Sequence, residues 1–257
     1  MEITNEQVCS TITRFIKKEV KKRNARVVVV GISGGIDSAV TVSLATKATG
    51  PEKVFGLILP DSSVTPKRDT THAVELAKRL NIRHKLIELK TMKKYLLQKL
   101  PNNQLARGNL LVRLRMSLIY YYAAILNGIV LGTGDKSEIS LGYFTKYGDG
   151  AADILPIADL YKTEVRALAR YLSIPDEIIS KESSARLWKG HTAEGELGLA
   201  YDDIDLILDH IERRIPISSY KLRKKAVKVK GLIEKNKHKH AMPVVCHING
   251  QNTKFDD

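Results

Sequence analysis

Four consecutive valines, Val27 to Val30, run into Gly31-Ile32-Ser33-Gly34-Gly35-Ile36-Asp37-Ser38. A short, unbroken apolar run reads as a strand buried on both faces, as in the middle of a parallel sheet. The paired glycines leave backbone N–H groups unobstructed, so the turn is able to fold into an anion-binding nest. A helix expected over roughly Ile36 to Lys47 aims its positive N-terminal end at the same spot. Ser33 and Ser38 add hydroxyls. Asp37 needs a separate reason, because a carboxylate in a phosphate cradle repels its ligand unless a cation lies between them. Mg²⁺ is the natural mediator. The loop is not of the Gly-x-x-x-x-Gly-Lys-Ser/Thr kind, since no lysine follows its glycines. An ordinary glycine-rich turn with Asp37 as a cap would explain the glycines, but not both serines and the carboxylate together.

Further strands are expected at Val54 to Leu59, Lys85 to Leu89 and Ile129 to Thr133. Helices are expected near Pro66 to Leu80 and Asn109 to Asn127. At the N-terminus Thr4 and Gln7 have capping-box spacing, with Ile3 and Val8 as a staple, and Val8, Ile12, Phe15, Ile16 and Val20 form one apolar stripe. Alternation of strand and helix predicts an α/β fold, a doubly wound, mostly parallel sheet with helices on both faces. Ligands of such sheets bind at the carboxyl ends of the strands, near the switch point. Beyond residue 134 the chain reads as loop until Asp159, then as helix from Tyr161 to Leu172. Ser180 to Leu197 reads as a long loop carrying the lone tryptophan, a candidate lid. Helices follow at Tyr201 to Arg213 and Tyr220 to Lys235. With no repeat or linker, residues 1–257 are expected to form one domain.

Composition narrows the setting. No run of about 18 apolar residues is present, and the first residues lack the basic-then-apolar order of a signal peptide. Cys9 and Cys246 lie far apart without a CxxC pair, so a reduced, cytoplasmic setting is expected. A net charge of +14 calls for an anionic partner. Nucleotides suffice, and much of the excess falls on solvated helix faces such as Lys221 to Lys239. No nucleic-acid or membrane partner is expected.

Two later segments carry chemistry. Gly132-Thr133-Gly134-Asp135-Lys136-Ser137-Glu138 follows the fourth strand, and Gly142-Tyr143-Phe144-Thr145-Lys146-Tyr147-Gly148-Asp149-Gly150 and Asp153 come next. Glu138 either completes a Mg²⁺ site with Asp37 or is a helix-start carboxylate favoured by the dipole. Ser-Gly-Gly-x-Asp-Ser after a first strand resembles the signature of the ATP pyrophosphatases that adenylate their substrates. The later segments, together with Leu187-Trp188 and Glu194-Gly195-Glu196-Leu197-Gly198, resemble the NAD synthetase family in particular, over nearly the whole chain.

That resemblance implies a two-step reaction. The carboxylate of deamido-NAD attacks the α-phosphate of ATP, giving an acyl-adenylate and pyrophosphate; ammonia then displaces AMP. It implies ATP contacts at Gly31, Ile32, Ser33, Gly34, Gly35, Ile36, Asp37 and Ser38, with Thr133, Lys162 and Ser184. It assigns Mg²⁺ to Asp37 and Glu138, and deamido-NAD to Arg113, Lys146, Asp153, His238 and Lys239. Asp149 is a candidate for holding or deprotonating ammonium, or equally serves the turn at 147–150. Arg113 and Arg115, two apart, point to different helix faces. Where relatives carry Lys-x-Pro-Ser/Thr-Ala this chain has Lys181-Glu182-Ser183-Ser184-Ala185. Arg186 and Lys189 stand where small or acidic residues are common. Relatives that use glutamine carry an added N-terminal amidase domain, for which there is no room before Val27, so free ammonia is the expected nitrogen source. The family forms homodimers; the first helix and Met116 to Tyr122 either bury such an interface or belong to the monomer core. Two rivals share the first loop: an RNA-modifying adenylating enzyme, and a nucleotide-binding module without catalysis.

Overall fold

The computed structural model describes residues 3–246 and Ile248. Helix α1 (Asn5–Lys22) opens on the expected capping box between Thr4 and Gln7, although Ile3 remains exposed. Strand β1 (Val27–Gly31) leads through the phosphate loop into α2 (Ile36–Thr49), and β2 (Val54–Ile58) precedes α3 (Lys67–Arg79). Next come β3 (Arg83–Leu86), α4 (Lys90–Leu97), α5 (Gln104–Leu126) and β4 (Gly128–Leu131). The chain then forms α6 (Lys136–Leu141), α7 (Lys162–Tyr171), α8 (Asp176–Ile179), α9 (Ala193–Leu197), α10 (Tyr201–Glu212) and α11 (Tyr220–Asn236).

The four strands are all parallel, in the order β3-β2-β1-β4. β1 is flanked on both sides, as its apolar run requires. Its side chains alternate between two cores. Val28 and Val30 face a core shared with α1, α2 and α7, and Val27 and Val29 face one shared with α5. Each fully buried valine of this kind contributes about 1.5–3 kcal/mol relative to an exposed one. Helix α2 is buried almost all round, including Ser38, Thr41 and Ser43, which marks it as the central helix of the fold. β3, at the sheet edge, is short and largely exposed, and its Arg83 and Lys85 discourage edge-to-edge pairing. A third core joins α6, α9, α10 and α11 around Leu141, Tyr201, Ile204 and Val229.

Several boundaries differ from expectation. β3 lies at Arg83–Leu86, because Ile87 and Leu89 leave the ladder to bond the carbonyls of Ile58 and Pro60. α5 begins at Gln104, where the Asn103 side chain caps it, ahead of the apolar periodicity. α4 forms in a stretch to which the sequence pattern assigns no element, and α6 in one that reads as loop. For α6 the cause is a reciprocal cap between Asp135 and Glu138. The lid segment contains α9, capped by Thr192. Of the α1 stripe, Ile12 and Ile16 are buried in the monomer core and Val8 and Val20 pack against it, while Phe15 is exposed. On α5, Leu118, Ile119, Tyr120 and Tyr122 pack toward the second core, while Tyr121 and Ile125 remain exposed.

Candidate active site

The β1–α2 loop is held open by its own hydroxyls. Ser33 N–H donates to Ser38 Oγ (3.1 Å), Gly35 N–H donates to Ser33 Oγ (3.1 Å), and Ser38 Oγ donates to the Gly35 carbonyl (2.9 Å). Both serines therefore brace the loop itself. No side chain caps α2, whose N-cap is Gly35, so the first N–H groups of a 14-residue helix face the cavity at the strand ends. Gly34 has φ +78°, and a Cβ there would lie 2.1 Å from the Asp69 carbonyl oxygen. Only glycine fits.

One cavity gathers most of the residues expected at an ATP site. Gly31, Ile32, Ser33, Gly35, Ile36, Asp37 and Ser38 line it, as do Thr133, Glu138, Asp149 and Ser184. It lies where β1 parts from β2 on one side and β4 on the other, the switch point of the sheet. Lys162 is placed differently. Its side chain is fully buried and does not line the cavity. Its Nζ lies 2.8 Å from Asp37 Oδ1 and 2.9 Å from Asp135 Oδ2, and donates to Glu138 Oε1 at 3.0 Å. The Tyr201 ring closes the far side, its centroid 5.0 Å from the ammonium. Lys162 is fixed because its backbone N–H donates to Ser137 Oγ, and Thr163 N–H donates to Asp205.

Three helix N-termini, those of α2, α6 and α7, thus converge on three carboxylates and one ammonium. Burial pushes the Asp135 carboxyl up to about 6, with the Lys162 charge opposing and the Asp37 charge adding to the rise. Glu138 is raised well above the ordinary carboxylate range, first by burial and then by its acidic neighbours. Burial lowers the Lys162 ammonium, but the three carboxylates outweigh it and hold the proton firmly. Asp37 Oδ1 and Asp135 Oδ2 are buried without a hydrogen bond, in contact with the ammonium alone. The cluster sets three carboxyl groups against one lysine, and two of them, Asp37 and Glu138, face the cavity.

Four of the remaining expected residues, Arg113, Lys146, His238 and Lys239, form a second locus outside this cavity. Arg113 Nε donates to the Lys146 carbonyl (3.2 Å), and Lys146 Nζ donates to the His238 carbonyl (2.7 Å). Lys239 Nζ donates to the carbonyls of Gly142 (2.6 Å) and Phe144 (2.8 Å). Asp153 stands apart from them: it accepts the Val130 N–H (2.7 Å) and the Tyr120 hydroxyl (3.5 Å). Asp149 lies between the two loci, near enough to feel the charges of both Lys239 and Arg115. It accepts the Thr145 N–H at 2.7 Å. Burial pushes its carboxyl up, while backbone N–H donors, Thr145 first, and the Lys239 and Arg115 charges oppose the rise.

Sequence reasoning missed several residues of the cavity wall. Arg115 lines it, Nε donating to the Leu59 carbonyl (3.1 Å) and Nη1 to that of Ala185 (3.5 Å). Its separation from Arg113 around the helix was the available signal. Asp69, Lys181 and Arg186 also line it, brought there by contacts between distant segments. His191 lies behind Ser184, its Nε2 2.8 Å from Glu196 Oε2 and its Nδ1 3.2 Å from Ser184 Oγ.

The chain resembles known proteins over nearly its whole length. An NH(3)-dependent NAD(+) synthetase of Archaeoglobus fulgidus is 44% identical over 244 residues, covering 95% of this chain and 97% of that one. Among solved structures, an NMN synthetase from Francisella tularensis superposes with a TM-score of 0.86 at 35% identity, covering 95% and 99% of the two chains. An NH3-dependent NAD synthetase from Campylobacter jejuni gives 0.81 at 32% identity, covering 96% and 100%. The model of the family described as NAD synthase matches residues 8–243, a span that takes in the phosphate loop, the acidic cluster and the lid, and the chain belongs to that family.

Proposed function

We propose that the protein amidates deamido-NAD to NAD with ATP and free ammonia, releasing AMP and pyrophosphate. One observation carries the reading: an uncapped helix N-terminus and the acid pair Asp37–Glu138 share a single cavity. A phosphate cradle alone needs no acids. A cradle beside two acids suits a triphosphate that arrives with a divalent cation, and two carboxylates plus phosphate oxygens are the usual donor set for Mg²⁺. The acid surplus around Lys162 fits such an ion. Asp37 and Glu138 would hold it, and when bound it supplies the charge that lets carboxylates and phosphates approach one another.

The chain's own groups do the rest. The N–H groups at the start of α2 orient the phosphates so that pyrophosphate leaves as the substrate carboxylate oxygen bonds to the α-phosphorus. Lys162 fixes the carboxylates from beneath. Arg113, Lys146, Asp153, His238 and Lys239 receive the dinucleotide, whose reacting end reaches the cavity past Asp149. That carboxylate attracts ammonium and takes its proton, so that neutral ammonia attacks the acyl carbon and AMP departs. The whole chain acts as one catalytic unit, in the cytoplasm and as a homodimer. Tyr121 and Ile125, exposed on α5, supply apolar surface for pairing, which sedimentation would test.

The decisive assay supplies ATP, Mg²⁺ and deamido-NAD with either ammonium or glutamine. NAD and AMP should form with ammonium and little with glutamine; ADP in place of AMP would overturn the reading. The likeness to NMN synthetase favours a second reading, in which the same chemistry acts on a mononucleotide acceptor. The basic locus outside the cavity favours the larger acceptor, and running both side by side ranks them. No helix among the described residues is long and apolar enough to cross a membrane.

A further inference from the structure

Asp69, in the first turn of α3, has a side chain only 4% exposed, and each of its oxygens holds one cation from the lid segment. Lys181 Nζ lies 2.9 Å from Oδ1, and Arg186 Nε donates to Oδ2 at 2.8 Å. Lys181 Nζ also donates to the Gly34 carbonyl, at 2.7 Å. The backbone of Asp69 meets the same loop, since its carbonyl occupies the space of the missing Gly34 Cβ. One residue therefore touches the phosphate loop with its main chain and the lid with its side chain.

The lid is bent against its own preference at this point. Arg186 has φ +51°, a left-handed conformation that costs a residue with a side chain about 1–2 kcal/mol. Such a bend persists only where surrounding contacts outweigh it. Here they are the Arg186 N–H to Ser184 Oγ bond (3.1 Å), the guanidinium on Asp69, and the Arg115 bond to the next carbonyl back, that of Ala185. Arg186 is also one of the positions where this sequence departs from the pattern it resembles.

We propose that Asp69 is a positioning residue that fastens the segment 180–197 over the phosphate loop, and that ATP binds with full affinity only while this carboxylate holds Lys181 and Arg186. The ATP clause rests on the proposed function; the fastening does not. The two ideas have opposite electrostatic signatures. If Asp69 were merely an acid near a polyanion, removing its charge would tighten ATP binding. If it fastens the lid, removal weakens binding.

The lid carries its own reporter, because Trp188 is the only tryptophan of the chain and is half-buried. Acrylamide quenching of Trp188, in the full chain without any substrate, should rise about twofold in Asp69→Asn if the segment opens locally. The ATP dissociation constant, titrated calorimetrically with Mg²⁺, should rise about tenfold, the scale of one lost charge-assisted contact. Arg186→Ala should shift both readings in the same direction by less. The double variant should be no worse than Asp69→Asn alone, since both changes undo one fastening. Unchanged quenching, or a lower dissociation constant in either variant, overturns the proposal. If circular dichroism shows Asp69→Asn unfolded, Arg186→Ala, at a more accessible position, decides with the same readings. Should NAD fail to form while quenching and ATP affinity respond as described, the function reading falls and the fastening stands.

Discussion

Two ion clusters border the cavity, and they are unbalanced in opposite senses. Beneath the phosphate loop one ammonium, Lys162, stands among Asp37, Asp135 and Glu138. At the lid one carboxylate, Asp69, stands between Lys181 and Arg186. A third group, Asp61 with Lys93, is a matched pair held by Ser63, and it does not line the cavity. Buried charges are normally paired one for one, since each uncompensated ion carries a desolvation cost. Imbalance beside a cavity is therefore informative. An acid surplus fits an incoming cation and a basic surplus fits an incoming anion, and a nucleotide with its metal brings both.

The contrast yields a ranked set of expectations. Asp37→Asn removes a cavity-facing member of the acid surplus without changing its shape. Turnover should fall about 10²–10³-fold at saturating Mg²⁺ while circular dichroism stays unchanged, the scale seen when one preorganised electrostatic group is lost. Ordinary activity would break the link between surplus acid and metal. Lys162→Met leaves three carboxylates, Asp135 fully buried and Asp37 and Glu138 partly so, with no counter-charge. It should destabilise the fold by about 3–5 kcal/mol in urea unfolding, and Mg²⁺ should restore part of that loss. If Mg²⁺ protects the wild type and Lys162→Met equally, the ion binds elsewhere.

Gly34→Ala tests the joint between the clusters, because a Cβ there collides with Asp69 and φ is +78°. About 1–2 kcal/mol of backbone strain is expected in thermal unfolding, with a larger loss in ATP affinity than in stability. The smallest effect belongs to the matched pair. Burial alone would raise the Asp61 carboxyl, but bonds from Lys93 and from the Ser63 hydroxyl and N–H hold it below its ordinary 3.8. Its folded value is thus lower than its unfolded one, so it stabilises the protein above pH 3.8. That contribution is lost as pH falls through the folded value. Urea midpoints between pH 6 and 3 should therefore show a shallower acid decline in Lys93→Met, with little change in ATP binding.

How much of this was legible in the sequence differs from region to region. β1 and its loop were readable because strand burial, glycine spacing and the helix start are local and point the same way. α4 and α6 were not: α4 is a two-turn helix with no side-chain cap and no buried residue, and α6 is a short helix whose signal is its Asp135–Glu138 cap. For Lys162 the resemblance implies an ATP contact and the residue alone a solvated cation; the structure instead encloses it among carboxylates. The start of its helix is held by Ser137, 25 positions from Lys162, and by Asp205, 42 positions from Thr163, and no local pattern encodes that. Arg186 lies 117 positions from Asp69, so their pairing appears only once α3 and the lid are seen together. Residue types announced the loop chemistry, while tertiary contacts decided which charges are enclosed.

The bonds from Lys239 to the carbonyls of Gly142 and Phe144 span 97 and 95 positions, and Asn236 adds one to Leu141 across 95. During synthesis the segment that holds Asp149 leaves the ribosome well before these anchors exist. Given elongation at about 5–20 residues per second, several seconds separate the two. The sheet and phosphate cradle can form first, and the part of the pocket bordered by residues 142–150 takes its final shape only when the last helix docks.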